Sequence, residues 1–85
     1  MPTISIFYGI SIYINFTEHN PPHFHAKHGS KKGMFSIKTG ELLDGKMSQR
    51  DKKLIAAWAE LYRQELMANW NIARRHGTVL PIKPL

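Results

Sequence analysis

An 85-residue chain has room for one hydrophobic core, so residues 1–85 are read as a single domain. The absence of cysteine excludes disulfide staples, thiolate metal ligands and a cysteine nucleophile. Twelve Lys and Arg against six Asp and Glu leave a formal net charge of +6, which draws anionic partners such as nucleic acid or an acidic protein.

Ile4 and Ile6 alternate with Thr3 and Ser5. Beyond Gly9, so do Ile10, Ile12, Ile14 and Phe16 with Ser11, Tyr13, Asn15 and Thr17. This period of two predicts strands over residues 3–8 and 10–17, joined by a tight turn or a glycine bulge. Pro21 and Pro22 lack amide donors and must lie outside the ladder. His23 to His28 is expected to form the next strand, Lys31-Lys32-Gly33 a turn, and Met34 to Lys38 a further strand with Phe35 and Ile37 inward. Thr39-Gly40 is a second turn signal, after which residues 41–45 can be extended.

From Ser48 the period lengthens. Ser48 and Asp51 have the spacing of a capping box. Leu54, Trp58, Leu61, Tyr62, Leu66, Trp70 and Ala73 then mark one helical stripe. No proline interrupts residues 49–76, so one long helix is expected, with Asn69 the candidate break and Gly77 the left-handed residue that ends it. The predicted architecture is α+β: a small antiparallel sheet of three to four strands at 3–45, packed against one long C-terminal helix at about 49–76, with an extended tail at 77–85. No apolar run is long enough to cross a bilayer, and MPTISIFYGIS lacks a signal peptide's charged start and cleavage site, so a cytoplasmic protein with no membrane association is expected.

Four of the five histidines lie in EHNPPHFHAKHG, residues 18–29. On a strand, His23, His25 and Lys27 share one face, while Phe24, Ala26 and His28 share the other. Phe24 and Ala26 are the expected buried set, which turns His23 and His25 outward or into a groove, with His19 across the proline turn. Three chemistries compete. An H-x-H pair completed by His19 or Glu18 could hold a metal, but scarce acidic residues and the lack of a zinc-type spacing weigh against it, and neither metal ligand nor cofactor is assigned. Acid–base cleavage of RNA would use His23, His25, Lys27 and His19, with Tyr8 or Tyr13 assisting: imidazole titrates near neutrality, and a cation stabilises the phosphate. The bland alternative is a rigid turn whose histidines bond to backbone or stack on Phe24. Lys31, Lys32, Lys38, Arg50, Lys52, Lys53, Arg74 and Arg75 are the candidate nucleic-acid contacts.

PTIS, FYGI and IY within residues 2–13, EHNPPHFHAKHG, TGELLDG at 39–45 and WAELYRQELMANW at 58–70 together resemble a small bacterial family of domains of unknown function, family 4160, marked by its NPPHFH core. The likeness covers nearly the whole chain. It implies membership of a toxin–antitoxin gene pair, with this type as the toxin-like member, and places His19, Asn20, Pro21, Pro22, His23 and His25 in the hallmark motif. The family supplies no established mechanism. Its members often have an acidic residue where Ser30 to Lys32 stand, so this chain is the more basic at that loop. The expected function is therefore the toxin of a type II pair, acting on RNA or the translation machinery through a basic, histidine-rich face. Its expected partner is a cognate small antitoxin, and the type of histidine chemistry leaves open whether it is an enzyme. A non-enzymatic antitoxin or adaptor that grips an acidic partner is the alternative, and a metal-binding protein the third reading.

Overall fold

The computed structural model describes residues 3–85. Five strands, β1 (Thr3–Phe7), β2 (Ile10–Tyr13), β3 (His23–His28), β4 (Lys31–Ser36) and β5 (Leu42–Gly45), form one antiparallel meander in sequence order. Two helices follow, α1 (Gln49–Leu61) and α2 (Arg63–Arg74). The α+β class stands, with five strands where three to four were expected and two helices where one was. The fifth strand is the 41–45 segment.

Each hairpin turn follows from local backbone chemistry. Tyr8 and Gly9 both take positive φ (50° and 80°) between the paired Phe7 and Ile10, the two-residue loop whose twist matches that of its strands. The β3–β4 turn falls at Gly29-Ser30, with Gly29 at φ 62°, and not at Lys31-Lys32-Gly33. Gly33 instead lies inside β4, where a Cβ would stand 2.7 Å from Leu42 Cδ1. There the glycine permits close approach of a neighbour and does not make a turn.

Cross-strand pairs share a face, so the register sorts the sheet. Phe7, Ile10, Ile12, Phe24, Ala26 and Phe35 face the helices and are buried. The opposite face carries two rows, Ile6–Ser11–Lys27–Lys32 and Tyr13–His25–Met34–Asp44. β2 stops at Tyr13, short of the expected residue 17; Ile14 remains buried, but Phe16 is exposed, since the alternation has no strand to act on beyond that point.

Ser48 caps α1 as its spacing predicts, its side-chain oxygen accepting from the Asp51 amide at 3.1 Å. The helical run leaves helix geometry at Tyr62 (φ −119°, ψ 29°), not at Asn69. Length explains the need for a bend. A straight helix over 49–74 would span about 39 Å at 1.5 Å per residue, whereas the longest dimension of the molecule is 33 Å. The bend sets both tryptophans against the sheet: Trp58 lies 5.2 Å from Phe7 and 5.7 Å from Phe24, and Trp70 lies 4.9 Å from the His23 ring. Leu61, expected in the buried stripe, points to solvent beside the bend.

The left-handed residue ending α2 is His76 (φ 58°), not Gly77. His76 N–H bonds Ala73 O, and Gly77 N–H bonds Ile72 O, the paired bonds of a Schellman end. A Cβ at Gly77 would meet Ile72 Cγ2 at 2.8 Å, so glycine is needed there for proximity. The tail has no regular structure but is tied down. Ile82 N–H donates to Ile4 O at 2.7 Å, Trp58 Nε1 donates to Lys83 O at 2.8 Å, and Asn69 bonds both backbone groups of Leu80. Among the described residues no helix is long and apolar enough to cross a membrane.

Candidate functional site

The loop between β2 and β3 folds back over the start of β3 and brings Glu18 against two histidines. Its Asn20–Pro21 peptide is cis. The loop is pinned on both sides of Pro22: His23 Nδ1 donates to Pro21 O at 2.8 Å, and Ile37 N–H donates to Pro22 O at 3.1 Å. From there His25 Nε2 meets Glu18 Oε1 at 2.6 Å, and His23 Nε2 lies 3.1 Å from Glu18 Oε2. The two imidazole rings stand edge to face, 5.2 Å apart, and Tyr13 stacks on His25 at 5.2 Å and 12°.

The two histidines have different surroundings. His25 is half-buried and looks onto the open sheet face. His23, expected to face outward or into a groove, is only 4% exposed because Trp70 covers it. Since the Pro21 carbonyl can only accept, Nδ1 of His23 carries the proton, and in the neutral ring Nε2 keeps a bare lone pair. That Nε2 is buried 3.1 Å from Glu18 Oε2, and as a bare lone pair it has no hydrogen-bond partner there; only the protonated ring can donate to the carboxylate. Burial pushes the Glu18 carboxyl up, but the hydrogen bonds from His25 and, once its ring is protonated, from His23, with the attraction of both protonated rings, outweigh it. The carboxyl therefore titrates below the ordinary value.

A second histidine–carboxylate pair closes the other end of β3. His28 Nδ1 lies 2.5 Å from Asp51 Oδ2, and Arg50 donates to the other oxygen at 3.2 Å. Asp51 is buried, so its carboxylate goes to His28 and not back to Ser48, and the capping box is half formed. This pair fixes the β3–β4 turn to the start of α1. Gly9 makes room for it, since a Cβ there would stand 2.9 Å from His28 Nε2.

The structure thus separates the candidate catalytic residues. His23 and His25 converge with Glu18. Lys27 lies on the open face, one side-chain row further along β3, exposed and paired across the strands with Lys32. His19 is exposed and outside the cluster. The predicted basic residues also divide. Lys31, Lys32 and Arg50 gather with Lys27 and Lys46 at one end of the sheet: Lys46 N–H bonds Lys32 O, and the Arg50 guanidinium lies 5.8 Å from the Tyr8 ring centre. Lys52 and Lys53 continue along α1. Lys38 lies beyond the far end of β4, and Arg74 and Arg75 close α2, where His76 meets Phe16. Among the described residues none of Lys27, Lys31, Lys32 and Lys46 is in an ion pair. Asn15, whose amide lies 3.4 Å from His25 Nε2, had no local sequence signal. Lys46 belonged to the basic middle of the chain but was not among the expected contacts.

A compact α+β domain with an open sheet face, a histidine–glutamate cluster and a cationic edge is the class that fold and site define. Residues 9–71 match the model of a domain of unknown function, DUF4160, and the chain belongs to that family. No curated protein and no solved structure matches it.

Proposed function

We propose that this protein is the toxin-like member of a toxin–antitoxin pair and engages RNA with the open face of its sheet. The observation that carries the reading is the pair Lys27 and Lys32 on that face, with Lys31, Lys46 and Arg50 at the same sheet end, beside the stacked Tyr13 and His25. Unpaired lysines attract phosphates and release counterions. An aromatic platform accepts unstacked bases. A shallow hollow of about 230 Å³, lined by Tyr13, His25, Lys32, Gly33, Met34, Asp44 and Gly45, lies between them. The N-terminus of α1, 13 residues long, adds its dipole at the cationic end.

Fluorescence anisotropy with a labelled single-stranded RNA tests the reading. Lys27→Glu/Lys32→Glu should weaken binding at least about tenfold. It should also flatten the log–log salt dependence by about 0.7 for each phosphate that the variant no longer neutralises. Induced expression of the chain alone should arrest growth, and co-expression of the neighbouring gene should relieve the arrest. Unchanged RNA affinity in the folded double variant would refute the RNA reading. A tight complex with the neighbour's product and no RNA binding would favour the alternative, an adaptor for an acidic protein.

A further inference from the structure

We infer that Glu18, His23 and His25 form a binding site for one divalent first-row transition ion of the zinc class. The donors are Nε2 of each ring and the Glu18 carboxylate. Their closest pair is 2.6 Å apart, and none is more than 4.8 Å from another. Two donors each about 2.0–2.1 Å from a tetrahedral ion must be about 3.3 Å apart, and these spacings bracket that value.

Two features separate the cluster from an ordinary histidine–carboxylate contact. First, His23 is nine-tenths buried or more, and in the neutral ring its Nε2 faces Glu18 Oε2 at 3.1 Å, two acceptors with no proton between them. A buried polar atom left without a partner carries a free-energy penalty, which an ion bound there would remove. Second, the other nitrogen of that ring donates to Pro21 O at 2.8 Å, the backbone bond that fixes tautomer and ring direction in metal-ligating histidines. Two imidazoles and one carboxylate suit zinc, cobalt or nickel better than magnesium or calcium, which prefer oxygen ligands. Three protein donors leave a coordination position free, and the partial exposure of Glu18 and His25 opens it to solvent.

The ion site shares His25 with the RNA reading but is tested apart from it: failure of RNA binding would leave the ion site standing, and failure of the ion site would leave the cationic edge intact. The test uses full-length protein made without a histidine tag, stripped by a chelator and titrated with Zn(II) in a calorimeter. Co(II) absorption serves as a second readout. One equivalent of Zn(II) should bind, and Co(II) should give the visible bands of a site with fewer than six ligands. Glu18→Gln and His25→Ala, both at the partly exposed side of the cluster, should each weaken binding more than tenfold while circular dichroism shows them folded. His76→Asn should bind as the parent does. His23→Ala is a poor probe because Trp70 packs on that ring. Absence of stoichiometric binding by the folded parent, or undiminished binding by both folded variants, overturns the inference.

Discussion

Glu18 shows how much one side chain in this protein depends on its neighbours. It lies between two imidazoles, seven residues from one and five from the other, on a loop whose course is set by the Pro21 and Pro22 contacts. Its carboxyl titrates below the usual range because the histidines outweigh the burial penalty. For a carboxylate with a depressed folded-state value, the linked stability is fully present above the unfolded value and is lost as pH falls through the folded one. Chelator-treated parent should therefore lose urea resistance relative to Glu18→Gln as pH falls below the ordinary carboxylate value of 4.5. Parallel pH profiles for the two proteins would count against the pairing. From the sequence, Glu18 was one of two residues that could complete a metal set, and His19 was the other. Spacing alone could not choose between them, because the choice depends on which way the loop turns.

At the scale of elements, alternation and glycine placement made most of the sheet readable; one error was the length of β2, and another came from a glycine whose role is proximity. Gly33 resembled a turn residue beside two lysines, yet it lies flat in β4 under Leu42. Gly45 ends β5 at φ 89°, where a Cβ would collide with Lys32 O. Gly29 also has positive φ, but a Cβ there meets nothing within 4 Å. Gly29→Ala should thus cost only the left-handed penalty of about 1–2 kcal/mol. Gly45→Ala should cost clearly more, because the β4–β5 backbone must also move. Urea titration of the two variants, with hydrogen exchange at β5, checks the ordering; equal costs would mean that the β5 edge yields freely. The helical stripe was legible on both sides of Tyr62, with Trp58, Leu66, Trp70 and Ala73 buried and Leu61 the exception, but the bend at Tyr62 was not. No proline or glycine marks it, and it answers to the size of the molecule.

The whole molecule is closed by its tail. Asn69, only 2% exposed, acts as a surrogate strand edge: its amide donates to Leu80 O and its oxygen accepts from Leu80 N–H. Val79 and Ile82 are then buried, and Ile82 joins β1 through Ile4. Asn69→Ala should destabilise by about 1–3 kcal/mol by stranding those backbone groups. The Trp58 fluorescence spectrum should also shift, since its indole N–H is held by Lys83 O. A variant as stable as the parent would show that the tail docks by apolar contact alone. Asn69 stood in the sequence as a candidate helix break because nothing local reveals a partner eleven residues away.

What the sequence by itself determined is what short-range physics controls: the change from period two to helical period at Ser48, the paired strands, the Ser48 cap, the buried Phe24 and Ala26, and the resemblance that the family match supports. The tertiary structure alone decided which acid meets which histidine, that Trp70 buries His23, and which of the scattered cations share an edge. The division has one cause. Backbone propensity and alternation act over a few residues, whereas the contact of His28 with Asp51 joins positions 23 residues apart and exists only once sheet and helix pack together.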